Sequence, residues 1–161
     1  MLKFLPLIFT VIFTFSSCQA AAEDTPQPGC GEITTAVMNE IEFRGATEIA
    51  VNDIRLYYSI DIEKIDEMSF FTSVNSFPIY PDEIAVFKFF KVSEAEGSFG
   101  ALQERLEYLK ETFKGNEANL KQLEAPICQQ FGLYLVFCNC MDNEKADEII
   151  TKMFTNTNVS V

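Results

Sequence analysis

The chain contains no histidine and no tryptophan. Without His, every Ser–His or Cys–His nucleophile pair and every imidazole metal site is absent, and these are the commonest constellations for hydrolysis near neutral pH. Positive charge is scarce as well: 12 Lys and Arg stand against 24 Asp and Glu, for a formal net charge of -12. Binding to a phosphate backbone needs a positive field, so nucleic acid is excluded as a partner. An anionic membrane surface would repel the chain too. No Lys or Arg cluster offers an electrostatic anchor, so residence at a membrane requires a covalent one.

Apolar residues are plentiful, at 48% of the 161 residues with 16 Phe and 5 Tyr, which argues against disorder and for one domain with one core. The first 17 residues carry one Lys, then an apolar run from Phe4 to Phe15, then small residues. This is the pattern of a signal peptide, and the run is shorter than the roughly 20 residues that a spanning helix needs. Phe15-Ser16-Ser17-Cys18 resembles the lipobox of bacterial lipoproteins, with Phe15 where Leu is usual. The resemblance implies a diacylglyceryl thioether on Cys18 and cleavage before it, placing the protein on the extracytoplasmic face of the cell membrane. Ordinary cleavage near Ala20 to Ala22 is the rival expectation and would give a secreted protein. Residues 18–30, with Pro26 and Pro28, have the composition of a flexible tether.

The remaining pattern predicts a single α+β domain over residues 31–155 and a frayed tail over 156–161. Ile33, Val37 and Ile41 recur at helical spacing before Gly45, and a second amphipathic stretch runs from Ile49 to Ser59. Met68 to Val74 is β-like, the prolines around Phe77 to Tyr80 demand a loop, and Asp82 to Val92 is the clearest strand. Phe99, Leu102, Leu106, Leu109 and Phe113 form a stripe on one long helix from Glu96 to Lys114. A short helix from Asn116 to Leu123 precedes a hairpin turning near Phe131-Gly132, and Asp142 can cap a last helix, Asn143 to Phe154. The expected order is ααββαββα: an antiparallel sheet of about four strands with helices mainly on one face.

Carboxylates are the abundant chemical groups, in the pairs Asp61 and Glu63, Asp66 and Glu67, Asp82 and Glu83, and Asp142 and Glu144. Paired carboxylates can perform acid–base hydrolysis when burial separates their pKa values. These pairs fall at predicted turns and element ends, where solvated or capping roles account for them. Lys88 and Arg105 are expected to snorkel at a sheet rim or to pair with neighbours such as Glu83 or Glu104. Cys138 and Cys140 are two apart on one strand face, which is poor disulfide geometry, and they read as core filler. Cys30, beside the tether, is expected to be within reach of a partner.

Asp82-Glu83-Ile84-Ala85-Val86-Phe87-Lys88, Leu102-x-x-Arg105-Leu106 and Gly132-Leu133-Tyr134-Leu135-Val136 together resemble the bacterial domain-of-unknown-function family 4358, found in exported lipoproteins of low-GC Gram-positive bacteria. The resemblance spans roughly Ile49 to Phe154 and implies the exported α+β lipoprotein, with no activity or site attached. The resulting expectation is a membrane-tethered, non-enzymatic binding or interaction module for a protein or cell-envelope ligand. It needs no catalytic residue, cofactor or metal. A carboxylate-dependent extracytoplasmic hydrolase is the alternative.

Overall fold

The computed structural model describes residues 27–155. The signal segment, Cys18, most of the tether and the tail 156–161 lie outside the described residues. The α+β class holds, and the arrangement within it differs from the predicted one. Five strands form one antiparallel sheet: β1 (Thr47–Glu48), β2 (Ile65–Thr72), β3 (Glu83–Phe89), β4 (Ile127–Phe131) and β5 (Tyr134–Asn139), in the order β1-β2-β3-β5-β4. The helices among the described residues are α1 (Cys30–Glu40), α2 (Val92–Ser98), α3 (Gly100–Thr112), α4 (Glu117–Gln122) and α5 (Asn143–Thr155).

Helices cover both faces of the sheet, not mainly one. Ala85, Phe87 and Phe89 of β3 point into a core with Tyr58, Phe70, Leu102, Leu109 and Phe137. Ile84 and Val86 point the other way, into a core with Ile33, Val37, Tyr134, Val136 and Ile150. A central strand apolar on both faces must be covered twice, because each face left open would expose its alternate side chains to water. The first core belongs to α3 and the 58–60 segment, and the second to α1 and α5.

Local chemistry explains the shifted boundaries. Helix α1 begins at Cys30, inside the segment assigned to the tether, because Cys30, Ile33, Thr34 and Val37 form one buried stripe. Glu32 Oε2 accepts the Gly29 N–H at 2.9 Å to close the helix start. Cys30 is fully buried, so it is not a thiol waiting beside a flexible spacer. The second predicted helix, Ile49 to Ser59, holds instead a 3-10 turn, Val51–Leu56, and follows directly on the short strand β1. Its lead residue Ile49 donates its N–H to the Phe70 carbonyl at 2.9 Å, so the sheet edge takes backbone that a helix would have used.

Strand β3 stops at Phe89, and Phe90 is 59% exposed. The long helix from Glu96 to Lys114 divides into α2 and α3 around Phe99, where Gly97, Ser98 and Gly100 are weak helix formers. The stripe also divides: Leu102 and Leu109 are fully buried, whereas Leu106 and Phe99 are only partly covered. In the hairpin, Phe131 faces Tyr134 across Gly132-Leu133, with Gly132 at φ +57°. Cys128 therefore lies opposite Phe137, and Ile127 opposite Cys138. Asp142 caps α5 as predicted, its Oδ1 accepting the Lys145 N–H at 3.0 Å.

Candidate functional site: a cleft behind two buried ion pairs

Strand β3 opens with the adjacent acids Asp82 and Glu83, and neither is a solvated turn residue. Both are completely buried, on opposite faces of the sheet. Glu83 Oε1 accepts the Tyr58 hydroxyl at 2.6 Å and Arg105 Nε at 2.9 Å. Its Oε2 accepts the Thr72 hydroxyl at 2.7 Å and a second Arg105 nitrogen at 2.6 Å. Arg105 reaches it from α3 and lies against the rings of Tyr57, Tyr58 and Tyr108, with centroids 5.1–5.8 Å away. Burial alone would push the guanidinium pKa down, and the forked bonds and charge of Glu83 more than reverse it. The same burial, followed by the charge of Glu83, pushes the Tyr58 phenol well up.

Asp82 is held with the same completeness. Its Oδ2 accepts the Arg44 backbone N–H at 2.9 Å and Arg44 Nε at 2.7 Å. Its Oδ1 accepts an Arg44 terminal nitrogen and Gln122 Nε2, each at 2.6 Å. Tyr80 stacks on that guanidinium, 4.2 Å from its ring centroid, and the bonds from Asp82 are the main reason its pKa is raised.

Each of the two carboxylates thus accepts four hydrogen bonds, the usual capacity of an ionised acid. No lone pair is left to take a substrate proton. Among the described residues, the most buried acidic pair joins elements and is unavailable for acid–base chemistry. Among the other pairs, Asp61 caps a turn by accepting the Glu63 N–H at 3.2 Å, and Asp66 meets Lys88 at 3.2 Å. Glu67 accepts the Cys30 N–H at 2.8 Å, and Asp142 is the cap of α5. No two pairs converge on a pocket. Arg105 does pair with Glu83, as its neighbours suggested, while Lys88 takes Asp66.

What the sequence did not signal is the hollow beside Asp82. A cleft of about 410 Å³ opens between α4 and the β5–α5 junction, lined among others by Arg44, Asn119, Lys121, Gln122, Cys140 and Asn143. Its frame is polar and ordered. Asn143 Oδ1 accepts the Cys140 N–H at 2.8 Å, Asn143 Nδ2 donates to the Gln122 carbonyl at 3.2 Å, and Asn139 Nδ2 donates to the Pro81 carbonyl at 2.6 Å. Lys121 and Glu124 bring one charge of each sign to it, Arg44 is already paired with Asp82, and Ala118, Ala125 and Met141 give it apolar surface. Convergent polar groups on an apolar, partly enclosed concavity are the usual form of a ligand site.

The cleft and the incoming chain lie at opposite ends of the sheet. The Pro28 carbonyl accepts the Tyr134 hydroxyl at 2.9 Å, which fixes the chain ahead of α1 beside the first residue of β5 and the last residues of β3. Asp82 precedes β3 and Cys140 follows β5 at the other end, roughly 20 Å away for six or seven strand residues.

Comparison of the chain with protein-family models, with curated proteins and with solved structures returns no match. The motifs behind the resemblance noted above nonetheless have a physical link. The first contains Glu83 and the second contains Arg105, and the two are the halves of one buried ion pair.

Proposed function

We propose that the protein is a membrane-tethered extracytoplasmic lipoprotein whose domain is a non-enzymatic binding module, taking its ligand in the cleft at Arg44, Lys121 and Asn143. The observation that carries this reading is the polarity of the fold. A tether at Pro28 would leave one end of the sheet, and the cleft occupies the other, so the chain leading to a lipid at Cys18 keeps clear of the cleft. The saturated carboxylates support binding over the alternative of a carboxylate hydrolase, because neither Asp82 nor Glu83 has a free lone pair for catalysis. The mixed lining suits a partner that offers polar groups to Lys121 and Asn143 and a small apolar group to Ala118 and Met141.

Site-specific photo-crosslinking tests it on intact envelopes. A photoreactive residue at Ala118, on the exposed lip of the cleft, should yield a discrete adduct. The same residue at Thr35, on the tether side of the domain, should not. Equal adducts from both positions, or none from Ala118, would contradict binding at the cleft.

A further inference from the structure

Three side-chain amides line the cleft, Asn119, Gln122 and Asn143, and two of them are used up in building it. Gln122 Oε1 accepts an Arg44 terminal nitrogen at 2.8 Å, and its Nε2 donates to Asp82 at 2.6 Å. Asn143 Oδ1 accepts the Cys140 N–H at 2.8 Å, and its Nδ2 donates to the Gln122 carbonyl at 3.2 Å. Asn119 differs. It is 9% exposed, and its backbone is committed within α4: the N–H donates to Asn116 Oδ1 at 3.2 Å and the carbonyl accepts the Leu123 N–H at 3.3 Å. Its side-chain carboxamide has no hydrogen-bond partner among the described residues, so that amide is what Asn119 has left to offer the cleft.

The large majority of buried side-chain polar groups are paired, because an unmet donor or acceptor forfeits the bonds it made to water. A ligand that supplies both a donor and an acceptor removes that penalty on binding.

We infer that the ligand of the cleft is an extended peptide segment, held through its backbone by Asn119. The inference rests on the cleft being the binding site. A carboxamide presents an acceptor and a donor side by side. In extended backbone the N–H and C=O of one residue leave on the same side, as in the residue pairs of an antiparallel ladder that exchange both bonds. One peptide residue therefore donates to Asn119 Oδ1 and accepts from Nδ2 together. The rest of the lining fits the same ligand. Ala118, Ala125 and Met141 offer apolar surface to a small side chain, and the volume of about 410 Å³ suits a short segment. Lys121 and Glu124, whose side chains also have no partner among the described residues, offer one charge of each sign to polar groups beside it. A nucleobase would match the same amide, but bases are held by stacking on aromatic rings and the lining contains none.

The test uses the full chain in detergent with Cys18→Ser, probed with an array of N-acetylated, C-amidated hexapeptides of varied sequence. The parent should retain a subset that shares a small apolar residue. N-methylation of one backbone nitrogen in those peptides should weaken binding about tenfold to a hundredfold, and Asn119→Leu should do the same. Asn119→Leu keeps the backbone bonds of α4 and removes only the amide, so its thermal melt should match or exceed that of the parent. An array with no retained peptide, undiminished retention by Asn119→Leu, or indifference to N-methylation at every position would overturn the inference. So would a melt in which Asn119→Leu loses as much stability as a core truncation, since the amide would then have a structural partner. An empty array beside a discrete photo-adduct at Ala118 would remove the peptide and keep the cleft as a site, whereas absence of both would remove the site itself.

Discussion

Removing Arg105 should be among the most damaging single substitutions in the domain. Its side chain is 2% exposed and that of Glu83 is 0% exposed, so Arg105→Met leaves an uncompensated carboxylate in the core between α3 and the sheet. Breaking a buried pair from one side costs about 3–5 kcal/mol, against a total of about 5–15 kcal/mol for a domain of ordinary stability. The partner substitution separates the cost of the stranded charge from the value of the pair. Glu83→Gln keeps an oxygen for the Tyr58 or Thr72 hydroxyl and removes the charge. In the double variant Glu83→Gln/Arg105→Met no buried charge remains at this pair, and its loss should fall short of the sum of the two single losses by at least about 1–2 kcal/mol. Urea denaturation of the four proteins gives this coupling directly. If Arg105→Met stays within about 1 kcal/mol of the parent, as exposed ion pairs do, the pair is not buried and the argument fails.

Other consequences are open to measurement. Leu102→Ala should cost about 2–5 kcal/mol in a thermal or denaturant melt, because Leu102 is fully buried, while Glu104→Ala, exposed two positions on, should stay within roughly 0.5 kcal/mol. Leu106, half-covered, should fall between them. Burial, with the nearby charge of Glu67 adding to it, raises the Cys30 thiol from 9.0 to about 12, so the unfolded chain releases this proton first as pH rises. The Cys30 contribution to stability is then complete below pH 9.0 and is lost as pH climbs toward about 12. Denaturation curves across that window should fall less steeply for Cys30→Ala than for the parent, and identical slopes would show that Cys30 is not buried in solution.

The legible parts of the fold were those where one physical signal dominated. Strand β3, the Asp142 cap and the β4–β5 hairpin follow from alternation, a side-chain acceptor and a positive-φ glycine, all local to the chain. The second predicted helix failed because Ile49 bonds to Phe70, a partner 21 positions away that no periodicity reports. The long helix failed because its apolar stripe continues through Phe99 while Gly97, Ser98 and Gly100 favour a break. At the site, Asp82 and Glu83 read as solvated because acids at a strand start usually are. Their burial depends on Arg44 and Arg105, which arrive from elements 38 and 22 positions away. The cleft had no signature at all, being assembled from α4, the β5–α5 junction and the loop after α1.

The membrane tether is the central claim, and the mass of the mature N-terminal peptide from the native host tests it most directly. The account predicts a chain beginning at Cys18 and carrying a diacylglyceryl group, in a protein that partitions into the detergent phase and is released or left unprocessed by Cys18→Ser. An unmodified N-terminus between Ala20 and Ala22 would contradict it.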